Sequence, residues 1–199
     1  MEKVLVTGAT GYIALHCVQQ LLDQGYAVNG SIRSPERKNE VIEALKNSGT
    51  STENLNLFVF DLTNDEGWDD GMEGCDYLLH VASPLALENH TEDYFVKPAV
   101  AGAKRALKFA KKHGVKKVVL TSSVAAIFET GEEKVFYDES DWSDPDNPNI
   151  SNYAKSKTLA EKAAWEFLKE EGDPFDFAVI NPALVTVSYT HLRAHETPR

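Results

Sequence analysis

A tyrosine and a lysine at helical spacing are the side chains of this sequence best suited to acid–base chemistry. Tyr153 and Lys157 are four positions apart in a segment with helical periodicity, so they lie on one face of the expected helix. A phenol has a pKa of about 10, and a nearby ammonium group favours its ionised form and brings that pKa toward neutrality. Ser123 follows an apolar run and could hold the same substrate oxygen. The three residues predict proton transfer to a carbonyl oxygen; the alternative is a surface pair beside a polar strand end.

A glycine turn near the start of the chain predicts a dinucleotide site. The turn follows the apolar run Val4–Val6 and leads into an amphipathic segment, so its order is strand, turn, helix. Backbone without side chains can approach a pyrophosphate closely, and a helix N-terminus offers it free N–H groups. The alternative is an ordinary strand–helix turn in which glycines supply positive φ. The candidate contacts are Thr7, Gly8, Thr10, Gly11, Tyr12 and Ile13.

The end of the second expected strand favours one form of the cofactor. An NAD site usually has Asp or Glu there, about 20 residues after the glycine turn, to bind the ribose 2′-hydroxyl. This sequence has Arg33 instead, followed by Arg37 and Lys38. A guanidinium group pairs well with a 2′-phosphate, which predicts NADP(H) in preference to NAD(H). The alternative is a solvated helix start that happens to be basic.

Other strand ends supply further candidate contacts with the cofactor. Asp61 could accept a hydrogen bond from the adenine amino group, with Leu62 beside it; the alternative for Asp61 is a helix cap or an Asx turn. Small residues end the fourth strand and leave space for the cofactor to pass. They are Val81, Ala82 and Ser83. Tyr153 and Lys157 would also contact the cofactor, Lys157 at the nicotinamide ribose.

The elements that position these residues alternate between short apolar runs and helical patterns. Continuous apolar runs indicate parallel strands that are covered on both faces, and repeated strand–helix units join through right-handed crossovers. We therefore predict an α/β fold, a Rossmann-type doubly wound parallel sheet with helices on both faces. The expected strands are Lys3–Thr7, Ala27–Ile32, Leu55–Phe60, Tyr77–Val81, Lys117–Thr121 and Phe177–Ile180, and the expected helices are Tyr12–Gln24, Pro35–Asn47, Asp93–His113 and Asn152–Glu170, with a short turn around Asn64–Gly71.

Composition argues against several other classes of protein. The 199 residues suit one domain, and a net charge of −11 argues against nucleic acid or an anionic membrane as a partner. No apolar run reaches the roughly 20 residues that a membrane helix needs. Cys17 and Cys75 lie in apolar patterns and are expected to be core thiols. The chain starts with a strand rather than a signal segment, so we expect a cytoplasmic protein.

In combination, these motifs resemble the extended short-chain dehydrogenase/reductase family, and most closely its dihydroflavonol reductase, cinnamoyl-CoA reductase and yeast-type carbonyl reductase branch. The resemblance spans residues 2 to about 185. It implies that Ser123, Tyr153 and Lys157 form the catalytic triad and that Arg33 contacts NADP. It also implies that Asn181 and Pro182 lie near the nicotinamide. The segments that carry it are Thr7–Ala14, Arg33, His80–Pro84, Lys97–Val100, Thr121–Ser123, Tyr153–Lys157 with its continuation through Glu161 to Trp165, and Asn181–Ala183.

The last fourteen or so positions depart from that family pattern. Residues 186–199 contain no glycine and differ in composition, and we interpret them as a non-native tail after a dinucleotide-binding domain at 1–185. The substrate domain would then be largely missing, so the chain as written is expected to be a fragment that is poorly soluble or weakly active. His191 and His195 have the spacing of a metal pair but lack a third ligand, so no metal is expected.

Three functional hypotheses remain open at the level of sequence. The first is an NADPH-dependent reductase of aldehydes or ketones, with a small carbonyl compound as substrate. The second is an NAD-dependent nucleotide-sugar epimerase or dehydratase, which uses the same Ser–Tyr–Lys chemistry; Arg33 and the small residues at 81–83 favour the first. The third is a non-enzymatic dinucleotide-binding protein. A monomer or homodimer is expected.

Overall fold

The computed structural model describes residues 1–85, 91–130 and 134–185, and within these ranges the chain forms a six-stranded parallel sheet. The strands are β1 (Lys3–Val6), β2 (Ala27–Ile32), β3 (Leu55–Val59), β4 (Tyr77–His80), β5 (Lys117–Thr121) and β6 (Asp176–Ile180). Their order across the sheet is β3-β2-β1-β4-β5-β6, and every neighbouring pair is parallel. The chain therefore winds outward in both directions from β1, as predicted for a doubly wound sheet.

Helices cover both faces of the sheet. They are α1 (Tyr12–Asp23), α2 (Lys38–Asn47), α3 (Trp68–Met72), α4 (Glu92–Lys112) and α5 (Asn152–Glu171), and short 3₁₀ turns lie at Pro35–Arg37 and Val124–Ala126. Successive side chains of β1 point to opposite faces. Leu5 joins the apolar cluster of α3, α4 and α5, whereas Val4 and Val6 join the cluster of α1 and α2. The predicted fold class is confirmed.

The observed element boundaries differ slightly from the predicted ones. Strands β1, β3 and β4 each end one residue earlier than predicted. Every other boundary that differs from its prediction does so by one residue, except in two regions. The predicted helix Pro35–Asn47 starts as a 3₁₀ turn, in which the Arg37 N–H donates to the Ser34 carbonyl. The predicted turn at Asn64–Gly71 contains the start of α3, where the buried Trp68 donates its indole N–H to the Asp61 carbonyl at 2.8 Å.

Close packing of α4 and α5 positions the face of α5 that carries Tyr153 and Lys157. Ala99, Ala103 and Ala160 form an apolar cluster between the two helices, and side chains this small allow the helices to approach closely. Ser151 caps the start of α5, with its hydroxyl oxygen accepting from the Ala154 N–H at 3.0 Å. The cap fixes where the first turn of α5 begins, and Tyr153 lies in that turn.

The two cysteines are free thiols, as the sequence indicates. Cys75 is buried, which confirms it as a core residue, but Cys17 is only half-buried on α1. Among the described residues, no helix is both long and apolar enough to cross a membrane.

Candidate active site

The glycine turn after β1 lies against the end of β4. Gly8 has a φ of +72°, and a Cβ atom placed there would be 3.1 Å from the Cβ of Ala82. The Gly8 N–H donates to the hydroxyl of Ser31 at 2.8 Å, which ties the turn to β2. Only glycine therefore satisfies both the backbone conformation and the available space.

The start of α1 is open to an anion. Gly11 is its N-cap and supplies no side-chain hydrogen bond, and the first turn of α1 contains no acidic residue. The N–H groups of Tyr12 and Ile13 begin the helix and have no partner within it. This arrangement is the one that binds a pyrophosphate at a helix N-terminus.

The Thr7 hydroxyl group is fully used inside the protein. Its oxygen accepts from the N–H groups of Val81 and Ala82, each at 3.0 Å, and lies 3.0 Å from Nδ1 of His80. Its single proton is therefore donated to His80 Nδ1, which places the ring proton of His80 on Nε2. Burial, with a smaller effect from the Lys157 charge, lowers the pKa of His80 to about 3, so the ring is neutral. Thr7 therefore fixes the strand end along which the cofactor is expected to pass.

The residues expected at the adenosine end lie after β2 and β3. Arg33 directly follows β2 and is exposed. Asp61 forms the Asx turn that was its alternative role, since its Oδ1 accepts from the amide and the hydroxyl of Thr63, both at 2.7 Å. These two bonds chiefly lower the pKa of Asp61, with smaller effects from the charges of Arg105 and Arg33. The Leu62 carbonyl accepts from the Arg105 guanidinium.

Ser123 lies where the ends of β5 and β6 meet. It is buried, and its Oγ accepts from the Ala125 N–H at 3.2 Å, so its own proton is still available for donation. The side-chain amide of Asn181 donates to the Ser123 carbonyl at 3.1 Å, and the Val124 N–H donates to the Pro182 carbonyl at 3.0 Å. The structure thus brings Ser123, Asn181 and Pro182 together.

Lys157 is buried beside the same strand end. It is 6% exposed, and its Nζ donates to the Thr121 carbonyl at 3.3 Å. Burial lowers the pKa of Lys157 to about 8, while the charge of Glu161 acts in the opposite direction. The ammonium group therefore stays mainly charged at neutral pH. It is 5.8 Å from the ring centre of Tyr153, so it acts on the phenol through space in this structure.

A small cavity lies between the end of β4 and Lys157. It has a volume of about 10 Å³, enough for about one water molecule, and its lining includes Ala82, Ser83, Ser122 and Lys157. Ala82 is also the residue that Gly8 approaches. Arg33 follows β2 and lies three strands away from the end of β5, which is about 14 Å at ordinary strand spacing. The candidate residues thus lie along one edge of the sheet, with Arg33 well apart from Ser123 and Lys157.

Sequence reasoning assigned no role to two buried polar residues of this site, His80 and Glu161. Both line the small cavity, and each is less than a tenth exposed. Ser122 lines it too, and its buried Oγ has no hydrogen-bond partner among the described residues. A histidine that ends an otherwise apolar strand is the one sequence signal that pointed toward this cluster.

The comparisons with known proteins agree with this geometry. The sequence profile of the NAD dependent epimerase/dehydratase family matches residues 4–195, nearly the whole chain. The chain belongs to the NAD dependent epimerase/dehydratase family. This member of the family is 38% identical over 191 residues to dihydroflavonol 4-reductase of Arabidopsis thaliana, with 92% of this chain and 49% of that protein covered. It is 39% identical over 189 residues to cinnamoyl-CoA reductase 1 of Petunia hybrida, with 92% and 54% covered.

Solved structures of family relatives have the same fold. Yeast methylglyoxal/isovaleraldehyde reductase Gre2, complexed with NADPH, matches with a TM-score of 0.78 and 34% identity, covering 91% of this chain and 57% of that one. Vestitone reductase from alfalfa matches with a TM-score of 0.76 and 36% identity, covering 91% and 56%. The resemblance to this reductase branch, stated from the motifs alone, is confirmed. The chain spans about half the length of the curated relatives it matches.

Two predictions fall outside the described residues. The segment 186–199 and its histidines His191 and His195 lie there, and the family profile extends into this segment, to residue 195. Within the described ranges, no group of three or more His, Cys, Asp or Glu side chains could hold a metal ion.

Proposed function

We propose that this family member is an NADPH-dependent reductase of aldehydes or ketones. The observation that carries the proposal is the position of Ala82. This residue lies against Gly8 of the glycine turn and also lines the cavity that contains Lys157. A cofactor seated on the turn would therefore extend toward the Ser–Tyr–Lys residues. The relatives named above are reductases, which favours this hypothesis over an epimerase or dehydratase.

The residues present fit a dinucleotide phosphate. The space beside Gly8, which a Cβ atom would fill, and the uncapped start of α1 suit a pyrophosphate. Arg33 is the cation best placed for a 2′-phosphate, because Arg37 is already paired with Glu40 at 2.9 Å. Asp61, Leu62 and the backbone of Thr10 remain proposed contacts.

The chain's own residues supply the acid–base chemistry. When bound, the reduced nicotinamide supplies the hydride that the carbonyl carbon accepts. Tyr153 gives its phenolic proton to the carbonyl oxygen, and Ser123 donates a hydrogen bond to that same oxygen. The Lys157 ammonium stabilises the phenolate that is left, and at neutral pH it remains charged although burial lowers its pKa to about 8.

A panel of substrates tests the proposal. NADPH and NADH oxidation would be followed with aldehydes, ketones and sugar nucleotides at neutral pH. We expect oxidation with the aldehydes or ketones, faster with NADPH, and one alcohol formed per NADPH consumed. Conversion of a sugar nucleotide without net cofactor consumption would favour the epimerase hypothesis. Binding of NADPH without turnover of any compound, by this chain and by a full-length version alike, would favour the non-enzymatic one.

Three further expectations remain proposals. They are the domain at 1–185 followed by a non-native tail, a cytoplasmic location, and a monomeric or homodimeric state. Size-exclusion chromatography with light scattering tests the last of these directly.

A further inference from the structure

A buried carboxylate joins three elements of the active site. Glu161 is only 6% exposed and lies one helical turn after Lys157 on α5. The side-chain amide of Asn181 donates to Glu161 Oε2 at 3.0 Å and to the Ser123 carbonyl at 3.1 Å. Through this amide, Glu161 is tied both to the end of β6 and to the backbone of the proposed catalytic serine.

An acidic group this deeply buried needs a compensating interaction. An isolated carboxylate in an apolar interior is strongly destabilising unless it is paired or hydrogen-bonded. Glu161 has the Asn181 amide as a donor and, across the small cavity, the Lys157 ammonium as an opposite charge. The geometry therefore links the Glu161 carboxylate to the Ser123 backbone, through Asn181, and to Lys157 across the cavity.

We propose that Glu161 is a positioning residue: it holds the Ser123 backbone through Asn181 and supplies the negative charge that keeps the buried Lys157 ammonium in its charged form. The proposal rests on the function proposed above, since it deepens the role of the same site. Among the described residues that line the cavity or contact Lys157, the other ionisable groups are His80 from β4 and Tyr153 on α5, and the α4 residues in the lining are alanines. Because His80 is neutral, Glu161 is the anion that faces Lys157 there.

Replacing the carboxylate by an amide tests the charge. Glu161→Gln keeps an oxygen that can accept from Asn181 but removes the negative charge. The protonation of Lys157 is followed by NMR of its ¹³Cε resonance in the cofactor-free chain, assigned by its loss in Lys157→Met. We expect the midpoint of this titration to move to lower pH in Glu161→Gln. The matched control is Glu166→Gln, an exposed glutamate on the same helix, 3.9 Å from Lys104.

The outcomes of this titration separate the inference from the proposed function. An equal Lys157 midpoint in Glu161→Gln and Glu166→Gln would overturn the inference, whether or not the protein turns over a substrate. Conversion of a sugar nucleotide without net NADPH consumption would overturn the proposed function and leave the titration unaffected. Where turnover is measurable, the alkaline limb of the pH profile of Glu161→Gln should move to lower pH together with the Lys157 midpoint. Loss of a residue with only a structural role would not cause this shift.

A second variant tests the tie to Ser123 and is independent of whether Glu161→Gln folds. Asn181→Ala removes the donor to the Ser123 carbonyl, which also accepts from the Ala126 N–H at 2.9 Å. We expect hydrogen exchange of the Ala126 amide to become faster, while exchange in β1 and β2 is unchanged. An Ala126 exchange rate equal to that of the parent would show that Asn181 does not hold this strand end.

Discussion

Lys157 and Ser123 show how local partners decide what a side chain can do. The lysine is buried and keeps one backbone acceptor, so its charge is directed at the nearby phenol rather than screened by water. The serine oxygen already accepts from Ala125, which leaves its proton for a substrate oxygen. Both properties follow from backbone atoms that the residue types alone do not reveal.

Arg33 carries the expected preference for NADPH. Charge-assisted hydrogen bonds contribute about 1.5–3 kcal/mol, so Arg33→Ser should weaken NADPH binding by about 10- to 100-fold. Binding of NADH, which lacks the 2′-phosphate, should change little. Dissociation constants from nicotinamide fluorescence would measure both. Arg37→Ser is the control, because that guanidinium is paired with Glu40; equal effects of the two substitutions would rule out a specific role for Arg33.

At the scale of elements, local pattern was sufficient to predict the sheet. All six strands were predicted because each is a short apolar run, and α1, α2, α4 and α5 were predicted from their helical periodicity. The errors are at element ends and at α3, which was expected to be a turn. Thr7 was assigned to β1, yet its hydroxyl makes hydrogen bonds to the end of β4, a partner that no local pattern reveals.

The glycine turn gives a prediction with a built-in control. Gly8→Ala should reduce the free energy of unfolding by about 1–2 kcal/mol, because the backbone at Gly8 is left-handed and a residue with a Cβ atom is strained there. It should lose further stability and NADPH affinity because the new Cβ would lie 3.1 Å from that of Ala82. Gly25→Ala has the same type of backbone, with φ of +84°, but open space around the new atom. Urea unfolding and NADPH titration should show a backbone cost in both variants and lost binding only in Gly8→Ala; unchanged binding in Gly8→Ala would contradict the assigned cofactor position.

At the scale of the whole molecule, the parts of the site that sequence could not predict join distant segments. Thr7 and His80 are 73 residues apart and meet because β1 and β4 are neighbours in the sheet. Glu161 and Asn181 meet because β6 pairs with β5, which brings its end beside α5. Such contacts depend on strand order, which the chain acquires only when the whole sheet forms.

Buried His80 predicts a pH dependence of stability. The folded protein keeps this ring neutral down to pH about 3, whereas the unfolded chain protonates it near its ordinary value of 6.5. The unfolded state therefore binds more protons between these values, and stability falls as the pH is lowered below about 6.5. The slope should approach about 1.4 kcal/mol per pH unit.

Urea unfolding between pH 5 and pH 7.5 measures this slope. His80→Asn offers a carbonyl oxygen to the Thr7 hydroxyl and cannot take up the proton, so its unfolding free energy should fall less steeply toward pH 5. Identical slopes in the parent and the variant would show that His80 does not cause the acid destabilisation.

The most direct test of the proposed reductase is Tyr153→Phe, measured as NADPH oxidation matched to alcohol formed from an aldehyde or ketone substrate. The variant lacks only the phenolic oxygen that donates the proton, so turnover should fall by a factor of about 10²–10⁴ while NADPH binding is retained. Tyr77→Phe is the matched control, because Tyr77 lies at the opposite end of β4 and its hydroxyl donates to Glu2 at 2.5 Å. Turnover by Tyr153→Phe equal to that of Tyr77→Phe and the parent would contradict the assignment of Tyr153 as the proton donor.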